Sequence, residues 1–181
     1  IEEAIESTNK MADRIEPWGL DTSIKYPHIY DNADQVFKDQ INEAYKNNPY
    51  VKKRHAFKDV RRKVHEEYAV YSKVGAIDFM LLETYLLGWE KKNKIKRGYG
   101  RGSVSGSMIA YLLGITNMDS MRFNLNFFRF LNPARVTNSD IDVDYANEDR
   151  EKIKRFLLRD HMDLDNIHTA EIITFNTIAL K

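Results

Sequence analysis

The segment Asp140-Ile141-Asp142-Val143-Asp144-Tyr145 alternates an acid with an apolar side chain, the period of an extended strand. Successive side chains of a strand point to opposite faces, so Asp140, Asp142 and Asp144 share one face and Ile141, Val143 and Tyr145 the other. Carboxylates lined up in this way repel one another, and a fold tolerates them best where a cation neutralises them. Hard oxygen ligands suit Mg²⁺ or Mn²⁺ rather than zinc. Taken alone, the segment fits an exposed edge strand with its acids in water equally well.

Upstream, Arg97-Gly98-Tyr99-Gly100-Arg101-Gly102-Ser103-Val104-Ser105-Gly106-Ser107 puts small residues where a backbone has to approach a bulky anion. It leads straight into Ser107 to Leu113, which reads as a helix closed by Gly114. Helix N-termini with free N–H groups favour phosphate. Six basic residues, Lys91, Lys92, Lys94, Lys96, Arg97 and Arg101, add a charge argument. The loop lacks the Gly-Lys-Ser/Thr of a P-loop, and no βαβ unit precedes it as the dinucleotide fingerprint requires. A flexible basic turn is the plain alternative. Joined to the carboxylate strand the loop becomes more specific, because metal-dependent nucleotidyl transfer needs both a triphosphate cradle and a carboxylate cluster.

Composition sets the frame for these two motifs. The chain has 181 residues, 43% of them hydrophobic, enough for one domain, or a domain plus a subdomain, with a real core. Net charge is +1 although 30% of residues are charged, so any nucleic-acid site has to come from clustering. The lack of cysteine excludes disulfides, thiolate metal sites and a cysteine nucleophile. No run of about 18 apolar residues occurs, and the amino end, Ile1-Glu2-Glu3-Ala4-Ile5, is acidic. Neither a membrane span nor a secretory signal is expected, and a cytoplasmic location is. The chain begins without Met and stops at Ile178-Ala179-Leu180-Lys181, just after an apparent strand, which reads as a fragment.

Periodicity predicts mainly helices in the first half. Ile1, Ala4, Ile5, Met11, Ala12 and Ile15 recur at helical spacing until Pro17-Trp18-Gly19. A second helix carries Val36, Phe37, Ile41, Ala44 and Tyr45 and ends at Asn47-Asn48-Pro49. Lys58 to Tyr71 and Ile77 to Trp89 read as two more, separated at Gly75. After the loop and the acidic strand, Glu148 to His161 reads as helix and Ile172-Ile173-Thr174-Phe175 as a further strand. Phe123, Phe127, Phe128 and Phe130 are expected in the core, and His28, His55, His65, His161 and His168 show no ligand spacing.

Four motifs occur in a familiar order: Gly100 to Thr116, Phe128-Arg129-Phe130-Leu131-Asn132-Pro133-Ala134-Arg135-Val136, Asp140 to Tyr145, and Ile172 to Phe175. Together they resemble the alpha subunit of bacterial DNA polymerase III, the C family of DNA polymerases. Tyr68 to Trp89 is similar more loosely to the helical segment before the family's glycine loop, and residues before about 60 fit weakly, as in a phage or otherwise divergent member.

The resemblance implies an α+β fold, a palm like that of the polymerase-beta-type nucleotidyltransferases, with a small mixed sheet and helices preceded by a mainly helical segment. On that reading residues 1–60 are the helical start of the palm or a thumb-like insert, and 61–181 a partial palm core. It implies further that Asp140 and Asp142 bind two catalytic Mg²⁺ ions, which Mn²⁺ can replace, and that Asp144 is a further acid less firmly a ligand. Gly102 and Ser103 would hold the incoming dNTP, and Arg129 would pair with its phosphates through a bidentate fork. Arg101, Arg135 and Arg150 also fall on family positions, for phosphates or internal ion pairs. Tyr99 and Ser139 stand where the family has proline, which leaves the backbone freer there.

The expected function is template-directed transfer of a nucleotide from a dNTP to a primer 3′-hydroxyl, with primer–template DNA as partner. Replisome subunits such as a sliding clamp would be reached through other regions, and the third catalytic aspartate would lie beyond Lys181, leaving the chain inactive alone. Two other classes stay open: a template-independent nucleotidyltransferase, and a non-catalytic module that binds DNA or a partner through a basic face.

Overall fold

The computed structural model describes residues 2–15, 19, 26–134, 140–164 and 167–171. It contains helices α1 (Glu2–Ala12), α2 (Ala33–Lys46), α3 (Pro49–Arg54), α4 (Phe57–Lys73), α5 (Ile77–Lys92), α6 (Met108–Leu113) and α7 (Asn147–Leu158). Short 3-10 turns lie at Gly102–Gly106 and Phe127–Arg129.

Most helices fall where apolar periodicity places them, but α3 does not. Asn48 and Pro49, read as the end of a helix, also start the next one. The Asn48 side chain accepts a hydrogen bond from the Val51 amide at 3.0 Å, and Pro49 takes the first helical position, where a missing N–H costs nothing. The two-residue break between α2 and α3, Asn47 and Asn48, is too short for the periodicity signal to separate them.

The main core gathers Phe37 and Ile41 of α2, Val51 of α3, Val60 and Tyr71 of α4, Met80 and Leu81 of α5, and Met108 and Ile109 of α6. Phe127, Phe130 and Leu131 close it from the following turn. A smaller cluster on the other side of α5 joins Leu86 and Ile95 to Ile153 and Phe156 of α7, with Trp89 stacked on Phe156 at 3.9 Å between ring centroids. α5 is apolar on both sides because it is the wall between the two clusters. α1, by contrast, buries none of its residues.

The expected palm sheet is not formed: the described residues are helical and irregular, with no strand. The acidic segment meets the glycine loop only in two isolated antiparallel bridges, Arg97 with Tyr145 and Arg101 with Asp142. From the first bridge to the second the loop advances four residues (97 to 101) and the acidic segment three (145 to 142), a one-residue slip that interrupts a ladder. Within it, the Gly100 amide turns away to the carbonyl of Ile115 at 2.7 Å. The strand expected at Ile172–Phe175 lies outside the described residues. Among the described residues no helix is long and apolar enough to cross a membrane.

Candidate nucleotide and metal site

Though not a regular strand, the acidic segment sorts its side chains as the alternation requires. Asp140, Asp142 and Asp144 are exposed, while Ile141, Val143 and Tyr145 are partly buried. Ile141 packs on the main core and Tyr145 on the smaller cluster, so the segment is pinned through its apolar side and offers its carboxylates outward.

Arg101 ties this segment to the loop. Its amide donates to the carbonyl of Asp142 at 3.0 Å, and its guanidinium reaches an Asp142 carboxylate oxygen and an Asp144 carboxylate oxygen, each at 3.2 Å. The next residue, Gly102, has φ +83, and a Cβ there would stand 3.7 Å from the Asp142 carboxylate. The turn that begins at Gly102 and the carboxylate of Asp142 are therefore neighbours in space, which brings together Arg101, Gly102 and Asp142. Ser103, the second turn residue, is partly buried.

The close approach that explains two other glycines is to the protein's own backbone, not to an anion. A Cβ at Gly106 would sit 2.7 Å from the Asn126 carbonyl oxygen, and one at Gly100 would sit 2.9 Å from that of Ile115. The first contact packs the turn carrying Arg129 onto the glycine loop. Arg129 is exposed at the end of that turn and makes no ion pair among the described residues.

The N-terminus of α6, read from sequence as open to phosphate, is occupied by a side chain. Glu67 of α4 is fully buried and accepts hydrogen bonds from the amides of Met108 (2.9 Å) and Ile109 (3.0 Å) and from the Ser107 hydroxyl (2.8 Å). Tyr71 lies 2.8 Å from the same hydroxyl, and Lys63 stands 3.7 Å from the carboxylate. A carboxylate at a helix N-terminus meets the positive end of the dipole. Burial nevertheless pushes the Glu67 carboxyl above its usual range, against the lowering effect of these donors. These first amides of α6 are therefore taken by Glu67 and not open to a phosphate.

Arg97, counted among the basic residues around the loop, points inward. Its guanidinium binds Glu83 at 3.0 Å and Glu90 at 3.1 Å, and the Tyr145 hydroxyl donates to Glu90. Burial would lower the Arg97 pKa, but Glu83 and Glu90 carry it upward, while burial and the bond to Glu90 raise that of Tyr145. Because Arg97 and Tyr145 also share a backbone bridge, this buried network fixes where the acidic segment lies along the loop.

Periodicity missed Glu67, Glu83 and Glu90, yet a signal existed for the first. Val60, Val64, Glu67 and Tyr71 form one helical stripe, and an acid within an apolar stripe marks a buried carboxylate. Of the four phenylalanines expected inside, Phe127 and Phe130 are buried whereas Phe123 and Phe128 are exposed. His55 is a partner of the buried Asp119 at 2.8 Å, and His28 pairs with Asp78 at 2.9 Å. Arg150 is exposed, and Arg135 lies outside the described residues.

No group of three or more acidic or histidine side chains is assembled as a metal site among the described residues. The donors themselves suit a hard divalent cation: they are oxygen only, exposed, and two of them already share one positive charge, that of Arg101.

The description "Bacterial DNA polymerase III alpha NTPase domain" belongs to a family model that matches residues 32–181. The chain belongs to the DNA polymerase III alpha family. Its match to the DNA polymerase III subunit alpha of Aquifex aeolicus (strain VF5) is 35% identical and covers 98% of this chain and 15% of that protein. The subunit alpha of Staphylococcus aureus (strain MRSA252) is 43% identical over 115 residues, 64% of this chain and 10% of the relative. The chain thus spans a small part of the length of the DNA polymerase III alpha relatives it matches.

Proposed function

We propose that this chain carries part of the nucleotidyl-transfer centre of a DNA-directed DNA polymerase. The substrates are a dNTP and a primer–template DNA, and the product is the primer lengthened by one nucleotide with release of pyrophosphate. The observation that carries this reading is the Arg101–Asp142 bridge, which sets the Gly102 turn beside an exposed row of aspartates.

Asp140 and Asp142 are the residues that would hold Mg²⁺, or Mn²⁺ in its place, with Asp144 as a further acid of the same row. Bound there, divalent cations supply charge stabilisation for the attacking 3′-hydroxyl and the departing pyrophosphate. The chain's own groups do the rest. The first amides of a 3-10 turn have no partner inside it, so those of Gly102 and Ser103 are donors for the triphosphate. Arg129 offers a bidentate fork to phosphate oxygens. Arg101, shared between Asp142 and Asp144, offsets the repulsion between the two carboxylates.

The test is DNA synthesis by the polymerase that carries this sequence. Asp140→Ala/Asp142→Ala abolishes extension of a primed template while leaving helical content intact. Extension at a rate comparable to wild type refutes the assignment, and extension of single strands without any template replaces it by a template-independent transferase.

A further inference from the structure

Seven lysines and arginines lie between Lys52 and His65, namely Lys52, Lys53, Arg54, Lys58, Arg61, Arg62 and Lys63, against one acid, Asp59. The structure divides them. Arg54 stands 3.7 Å from the buried Asp119, Lys63 turns to Glu67, Arg62 pairs with Glu66, and Lys52 donates to the Lys46 carbonyl. Lys53, Lys58 and Arg61 are exposed and make no ion pair among the described residues.

On α4 the basic side chains keep to one stripe. Lys58, Arg61, Arg62 and His65 recur at i, i+3, i+4 and i+7, opposite the buried stripe of Val60, Glu67 and Tyr71. They border an open groove of about 480 Å³ together with Phe57 and Glu66. Phe57 is 60% exposed at the head of this groove, and Tyr50 of α3 is 70% exposed nearby in sequence. Lys58 and Arg61, without ion pairs among the described residues, and the exposed ring of Phe57 beside them form the combination that tracks a sugar-phosphate backbone and stacks unpaired bases. Phe57 packs against the Tyr45 ring, 5.6 Å between centroids, which holds it in place while most of it stays exposed.

We infer that the α3–α4 face is a binding surface for a single DNA strand, on elements other than those that carry the aspartate row. Lys53, Lys58 and Arg61 meet phosphates, and Phe57 stacks on a base. The choice of DNA over another polyanion rests on the polymerase reading above; the surface itself does not.

The experiment is fluorescence anisotropy of the 181-residue chain with a labelled oligothymidylate of roughly 12 nucleotides, within the site sizes of single-strand binders, over a series of salt concentrations. Three lost phosphate contacts in Lys53→Gln/Lys58→Gln/Arg61→Gln weaken binding roughly tenfold or more and flatten the log–log salt slope by about 2. Phe57→Ala weakens binding about fivefold with the slope unchanged. Binding is measured without divalent cation or nucleotide, so it does not draw on metal at the aspartate row, and a dead aspartate row and a dead α4 surface are separable. Far-UV circular dichroism confirms that each variant keeps its helices. The inference is overturned if the triple variant binds within twofold of wild type at the same slope. It is equally overturned if a duplex of that length is held as tightly as the single strand, or if a polyglutamate peptide binds the groove and the oligonucleotide does not.

Discussion

Arg101 is joined to Asp142 twice, once through the backbone, amide to carbonyl at 3.0 Å, and once through the side chains at 3.2 Å. The guanidinium also reaches Asp144 at 3.2 Å, so one cation of the loop stands between two acids of the row. A metal ion at these carboxylates competes with that guanidinium. Removing one positive charge near 4 Å is worth about 1 kcal/mol even in water. Arg101→Ala should therefore tighten Mn²⁺ binding in the absence of nucleotide roughly fivefold, measured as loss of the free-ion electron paramagnetic resonance signal. Unchanged or weaker Mn²⁺ binding would show that Arg101 and the metal do not share the acids. Stability should change little, since the pair is exposed.

The glycines of the loop are predicted to differ in kind. Gly106→Ala puts a Cβ against the Asn126 backbone at 2.7 Å and should lower stability by about 1–3 kcal/mol, as overpacking does. Gly102→Ala meets no clash but keeps φ +83, at a cost of about 1 kcal/mol. Urea unfolding of the two variants checks the order, and a Gly102 variant less stable than the Gly106 variant would contradict it.

Glu67 gives stability a pH dependence with a definite sign. Its carboxyl lies above the ordinary 4.5 in the folded chain because burial outweighs its donors. A raised pKa means that the folded state holds the proton more tightly, so this contribution is complete below 4.5 and lost as pH rises through the folded value. The stability of wild type relative to Glu67→Gln should therefore fall as pH increases from 4.5 toward neutrality. Denaturant unfolding of both proteins across that range tests it, and a difference that grows with pH would mean that the helix amides dominate.

Arg97→Ala leaves Glu83 and Glu90 buried without their cation. Breaking a buried pair in this way costs about 3–5 kcal/mol, whereas Tyr145→Phe removes one hydrogen bond and costs about 1 kcal/mol. Thermal unfolding separates the two, and equal effects would place the weight of the network on Tyr145.

How far these features were legible in the sequence depends on what each one rests on. Helices α2 and α4 follow from local periodicity, since each has to bury a stripe, α5 and α6 from apolar runs bounded by turn residues, and the inward and outward sorting of Asp140 to Tyr145 follows from alternation alone. The sheet does not follow, because alternation says nothing about the partner. Here the partner slips by one residue between Arg97 and Arg101 and sends the Gly100 amide to Ile115. Charge counting likewise treats Arg97 and Arg101 alike, yet Arg97 is drawn inside by Glu83 and Glu90, acids that only the fold turns toward it. The open helix N-terminus was misread for the same reason. Its occupant, Glu67, lies forty residues before Ser107 in the chain.

The central claim, that the Gly102 turn and the aspartate row form one nucleotide and metal site, is tested most directly by titrating the chain with a fluorescent deoxynucleoside triphosphate, with and without Mn²⁺. The measurement compares wild type with Asp140→Ala/Asp142→Ala and with Arg129→Ala. The account predicts binding that depends on the metal in wild type, is lost in the double aspartate variant and is weakened in Arg129→Ala. Metal-dependent binding that survives unchanged in both variants would contradict it.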